Sequence, residues 1–187
     1  TPGGFSGGQE RKGREMRRRG YFSGEKLGEW YKDQEYLDCV KDILEHPVFQ
    51  SMDQYIQHGG TTCLEHCLRV SYMSYLICRR KGLHFCEAAR GGLLHDLFLY
   101  DWHVHGRETG EHFHGFTHPR TALENAEKYF SLTEREKNLI LRHMWPLTPL
   151  PPRYREGYVI IYADKLCSLE ETWLSVRKKL GAALKAA

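Results

Sequence analysis

The chain has 187 residues, 41% apolar and 12% aromatic, which suits one domain with a single buried core and excludes a disordered chain. No apolar run reaches the ~20 residues of a membrane-crossing helix, and TPGGFSGGQE at the start has no basic-then-apolar leader pattern. The net charge of +3 sits at one end, where Arg11, Lys12, Arg14, Arg17, Arg18 and Arg19 face only Glu10 and Glu15; the rest is slightly acidic, so neither nucleic acid nor a membrane is the expected partner.

Residues 1–24 read as a basic, unstructured tail and 25–187 as one helical domain. A helical period is clear from Glu35 to Leu44, with Tyr36, Val40, Ile43 and Leu44 on one face, and Pro47 is expected to end it. Gly59-Gly60 marks a turn, and Thr61-Thr62 the N-cap of a helix from about Thr62 to Arg80 that stops at Lys81-Gly82. The next helix covers about Phe85–Leu97, with Gly91-Gly92 small enough for a close neighbour. Residues 100–117 carry no period, four histidines and three glycines, the pattern of a functional loop. Pro119 suits the first turn of a helix running through Phe130. Thr133-Glu134-Arg135-Glu136 is a capping box opening a helix to about Met144, which Pro146 ends. Pro149, Pro151 and Pro152 suggest an extended linker. The last helix, about Glu156–Leu180, competes locally with a strand at Tyr158–Tyr162, and its length favours the helix. No paired β-runs stand out, so the expected fold class is all-α, a single-domain helical bundle.

The six cysteines (Cys39, Cys63, Cys67, Cys78, Cys86, Cys167) lie on apolar helical stretches. They read as buried small hydrophobes in a reducing, cytoplasmic setting, and Cys63-x3-Cys67 has no second pair to complete a thiolate zinc site.

The chemistry is in acids and imidazoles that sit where the pattern expects a dry face. His95-Asp96 follows Gly91-Gly92-Leu93-Leu94, His66 lies among Cys63, Cys67 and Val70, and Asp164 is embedded in IIYADKL. Burying a carboxylate is costly without a cation. An ion pair is one answer for each group alone. A shared metal ion satisfies all of them together. His118 and His143 add two imidazoles, although His143 would also suit a helix C-terminus as a simple cation. His114 rivals His118, which Pro119 directly behind it favours.

In this order, EHCLRV, LLHDL, THPRTA, LILRHM and YADKL resemble the motifs of the HD-domain superfamily of metal-dependent phosphohydrolases, over about Gly59–Glu171. The resemblance implies an HD-type helical bundle with His66, His95, Asp96 and Asp164 as metal ligands. His118 and His143 look like the two-metal variant, with Asp96 bridging, as in bacterial HD hydrolases of dinucleoside polyphosphates. The Gly-Tyr-Pro signature of cyclic-dinucleotide phosphodiesterases is missing, since residues 145–152 read WPLTPLPP. One or two divalent ions, iron, manganese or zinc ahead of magnesium, would lower the pKa of a bound water for attack on a phosphoester or phosphoanhydride of a nucleotide-like substrate. Asp96, His95 and Lys165 are the expected catalytic groups. Arg69, Arg120, His58 and His114 are the expected substrate-binding groups, with the loop histidines His103, His105 and His112 beside them. A metal or nucleotide sensor without turnover, and an HD-like di-iron oxygenase, are the competing readings.

Overall fold

Helices dominate the computed structural model, which describes residues 27–58, 60–99 and 114–186. The basic leader and residues 100–113 lie outside that set, and with them His103, His105 and His112. After a 3-10 turn at Leu27–Lys32, the Asp33 carboxylate caps α1 (Gln34–Leu44) by accepting from the Tyr36 N–H at 3.1 Å. The apolar face expected from the sequence is the buried one, including Tyr36, Val40, Ile43 and Leu44. Pro47 does more than end this helix. It opens a short α2 (Pro47–Gln50), because its fixed φ suits a first helical turn, and His46 caps that turn through Nδ1.

The expectation of no paired strands needs correction. β1 (Ile56–His58) pairs antiparallel with β2 (Thr61–Thr62), strands too short to show an alternating pattern in sequence. Thr62 then caps α3 (Cys63–Arg80) in a capping box with Glu65, the two reciprocal bonds measuring 3.1 and 3.2 Å. Every residue of α3 from Cys63 to Tyr72 is buried, so each polar side chain in that stretch must find its partner inside the protein. Gly82, at φ +64°, ends the chain's path out of α3 as the sequence suggests.

α4 (Phe85–Leu94) lies hard against α3, where a Cβ on Gly92 would stand 2.7 Å from the Ser71 Cα, and close to Leu139 of a later helix, whose Cβ would stand 3.1 Å from one on Gly91. This close approach sets the turn that follows α4, containing His95 and Asp96, beside the middle of α3. α5 (His114–Tyr129) starts five residues before Pro119, earlier than expected; the helix gives up the bond that a residue with an N–H would make there. α6 (Glu134–Arg142) has the expected Thr133–Glu136 capping box. Residues 143–150 form turns and bends where an extended linker was expected, only 151–152 being without either, and α7 (Arg155–Ala186) is one helix through Tyr158–Tyr162.

The larger apolar core joins α1, α3, α4 and α5; a second cluster of Val70, Leu139, Ile160, Ala163 and Cys167 joins α3, α6 and α7. The reading of all six cysteines as free thiols is corrected for one pair: Cys39 on α1 and Cys86 on α4 form a disulfide, with Cα atoms 5.1 Å apart. Their sequence separation of 47 hid this, because only the packing of α1 on α4 makes them neighbours. Cys63, Cys67, Cys78 and Cys167 are buried and free, as expected. No described helix is long and apolar enough to cross a membrane.

Candidate metal centre

Five segments converge on one interior point. α3 brings His66, the turn after α4 brings His95 and Asp96, α5 brings His118, the end of α6 brings His143, and α7 brings Asp164. The first five are at most 5% exposed, so solvent cannot satisfy them.

The backbone and one carboxylate fix how the imidazoles face. His95 Nδ1 lies 2.9 Å from the Gly92 carbonyl and His143 Nδ1 lies 2.7 Å from the Ile140 carbonyl. His66 Nδ1 lies 3.0 Å from Glu171 Oε2. All three partners only accept, so in each ring Nδ1 carries the proton and donates it. That leaves the Nε2 of all three rings turned toward the centre, the arrangement that orients imidazole ligands in metal sites.

Around Asp96 these atoms form two groups that could each hold an ion: His66, His95 and Asp96, and Asp96, His118 and His143. In the second, His118 Nε2 is 2.9 Å from His143 Nε2, and the two lie 3.3 and 3.5 Å from Asp96 Oδ1. In the first, His95 Nε2 is 3.4 Å from Asp96 Oδ2 and 3.9 Å from Asp164 Oδ1, which is 3.2 Å from His66 Nε2. Donors bound ~2.1 Å from one ion stand about 3.0 Å apart at right angles and about 3.4 Å apart at tetrahedral angles. The donor sets therefore fit a divalent ion. Two atoms make the same point: Asp96 Oδ1 and His95 Nε2 are buried and have no hydrogen-bond partner among the described residues.

The electrostatics agree. Burial raises the Asp96 carboxyl, but His95, His118 and His143 outweigh it and hold the group well below the usual carboxylate range. Asp164 is likewise lowered, by His66 and His95 against burial. Burial lowers His66, yet Glu171 and Asp164 hold its pKa well above the ordinary imidazole value; His95 is raised against burial by Asp96 first. Burial lowers His143.

A consequence can be measured. With folded pKa values raised, His66 and His95 carry their second proton at neutral pH when no ion is bound. The stability these charges contribute is present below the unfolded value of ~6.5 and is lost as pH rises through the folded values. An incoming ion must displace those protons, so zinc affinity should strengthen with rising pH. Zinc calorimetry at neutral pH, repeated in buffers of different ionisation enthalpy, should show release of about one proton or more per ion. Uptake without proton release would contradict this charge assignment.

The sequence reading missed two residues at the centre. Glu171 is 3% exposed and holds the His66 ring; Gln57 is buried and donates from Nε2 to Asp96 Oδ2 at 2.6 Å. Glu171 had a signal, since it lies seven residues after Asp164 on the same helical face. Gln57, in a short strand, had none. Arg69, expected among the substrate-binding groups, is fully buried, with one nitrogen 2.9 Å from Glu171 Oε1 and another on the Glu170 carboxylate. Arg120 and Lys165 are exposed beside the segments that bring in His118 and Asp164. His58 is in β1 and His114 opens α5, but their side chains lie outside the described residues.

Buried imidazoles and carboxylates from separate helices, grouped so that they could hold metal ions, mark an all-α domain with a candidate metal centre. The HD domain family model matches residues 63–169, and the chain belongs to the HD domain family, whose members are in general metal-dependent phosphohydrolases that bind divalent metals. The match coincides closely with the motif region read from the sequence. No curated protein and no solved structure matches the chain.

Proposed function

We propose that this protein hydrolyses a phosphoester or phosphoanhydride bond of a small nucleotide-like substrate, at a centre of one or two divalent ions. His66, His95, Asp96 and Asp164 would hold one ion, and Asp96, His118 and His143 the other. The observation that carries the reading is Asp96: its two carboxylate oxygens face two separate imidazole groups, one through Oδ2 and the other through Oδ1. When bound, such ions supply Lewis acidity that acidifies water and offsets negative charge on phosphate.

The chain's own residues orient and hold. Gln57 fixes the Asp96 carboxylate from one side, and Glu171, the Gly92 carbonyl and the Ile140 carbonyl hold the protons of His66, His95 and His143 on Nδ1. Apolar packing around the centre lowers the local dielectric and strengthens these interactions. Lys165 and Arg120, exposed next to the candidate ligands, would meet the substrate's phosphates. His58 and His114 stay in the proposed substrate-binding set. Four imidazoles with two carboxylates favour iron, zinc or manganese over magnesium. The cytoplasm, where nucleotides are abundant, is the compartment this reading fits.

The test is elemental analysis of purified protein, followed by phosphate-release assays over mononucleotides and dinucleoside polyphosphates with Fe(II), Mn(II) and Zn(II). The expected outcome is a bound transition metal and release that a chelator abolishes. Stoichiometric metal with no release from any member of the panel would defeat the hydrolase reading and point to a sensor; oxygen consumption by the reduced protein would point to an oxygenase.

A further inference from the structure

Helix α7 spans 32 residues, about 48 Å at ~1.5 Å per residue. Its inner face, including Ile160, Ala163, Asp164, Cys167 and Glu171, serves the core and the metal centre. Glu171 is the last buried residue among those described, and the helix continues to Ala186. An exposed amphipathic helix needs one apolar face, and this one has two.

The second face points to solvent. Tyr162, Leu166, Leu169, Trp173, Val176 and Leu180 follow one another at steps of four, three, four, three and four residues. Leu166 is half-buried, while Tyr162, Leu169, Trp173, Val176 and Leu180 are 59%, 69%, 66%, 44% and 60% exposed. Single exposed apolar side chains are ordinary, but a continuous stripe at alternating three- and four-residue steps is the seam of paired helices.

We propose that α7 pairs with α7 of a second copy of this chain, as an antiparallel two-helix seam. The stripe is self-complementary about Glu171: in that register Tyr162 lies opposite Leu180 of the second copy, Leu166 opposite Val176, and Leu169 opposite Trp173, and two-fold symmetry repeats each layer. The stripe leaves on the order of 600 Å² exposed per copy, so pairing buries on the order of 1,200 Å², at the lower edge of specific interfaces. Other occupants fit less well. Residues 1–26 hold only Phe5, Met16, Tyr21 and Phe22 as large apolar residues, without the matching steps. A membrane-surface helix carries a broad apolar face opposite a basic one, whereas here the stripe is narrow and both signs flank it, in Glu170, Lys165 and Arg177.

Sedimentation velocity of the full chain between about 1 and about 100 μM tests this. The expected species has twice the 21.9 kDa chain mass. The double substitution Leu169→Glu/Trp173→Glu should weaken association by about 100-fold or more, with metal content unchanged. Leu180→Asp lies beyond the last buried residue of the helix, so it spares the fold, and it should weaken association about 10-fold. A wild-type chain that stays monomeric throughout, or a dimer that survives both variants, overturns the proposal. A monomer that binds vesicles of anionic phospholipid overturns it in favour of a membrane surface.

Discussion

Asp96→Asn should empty both candidate ion positions together and lower phosphate release by about 10³-fold or more, equivalent to about 4 kcal/mol of lost transition-state stabilisation. The basis is the sharing of a single carboxylate. His66 and His95 meet it on one side, and His118 and His143 on the other. Each remaining set then has only neutral or imidazole donors plus, on one side, Asp164. Asparagine keeps the volume and an oxygen that the Gln57 amide can still reach, so a far-ultraviolet circular dichroism spectrum like the wild type's is expected. Two contrasting variants make the result specific. His143→Ala removes a donor from one group only and should leave about one ion bound; His66→Ala should do the same from the other side. Metal analysis reads all three proteins directly, without depending on which substrate is correct. An Asp96→Asn protein that retains two ions would show that the Asp96 carboxylate is not the ligand the two positions share.

That the centre could be read from sequence at all reflects a conflict between pattern and polarity. His66 in α3 and Asp164 in α7 stand on faces whose apolar spacing predicts burial, and burial of such groups has few physical solutions. The helices themselves were equally legible where capping chemistry marked their ends, as at Thr62–Glu65 and Thr133–Glu136. What stayed hidden depended on three-dimensional packing. Arg69 follows His66 by three residues, and sequence alone left open whether it turned to solvent. α3 is buried on nearly all sides despite Glu65, Arg69 and Ser71, because Glu65 accepts from the Thr62 N–H, Arg69 meets Glu170 and Glu171, and Ser71 bonds Tyr36 and the Ala89 carbonyl. Gln57, next to His58, carries no such mark, because nothing in a three-residue strand signals an interior amide. The disulfide between Cys39 and Cys86 required knowing that α1 lies on α4. Pro119 misled for a local reason: its preference for a first turn is statistical, and α5 tolerates it in a later one. The outer stripe of α7 was in plain view as spacing, but only the fold shows that the inner face already fills the core.

Replacing Arg69 should be the most damaging single change to stability away from the candidate ligands. Its guanidinium is wholly buried between Glu170 and Glu171, and the Glu171 carboxylate also accepts from His66 Nδ1. Arg69→Met keeps the length and the packing but strands a buried carboxylate, a change that costs about 3–5 kcal/mol. Urea unfolding of ion-free protein should show that loss as a shifted midpoint with an unchanged slope. Glu171→Gln acts differently. The amide oxygen still accepts from His66, so less stability is lost, but the ring loses the charge that makes its far nitrogen a stronger donor. Ion affinity at the His66 and His95 group should fall about 10- to 100-fold, while the His118 and His143 group keeps its affinity. Because the two side chains share one interaction, the double variant should be less destabilised than the sum of the single ones by about 1–3 kcal/mol. Strict additivity would mean that Arg69 and Glu171 act independently; an equal loss of affinity at both ion groups would mean that Glu171 supports the fold at large rather than one imidazole.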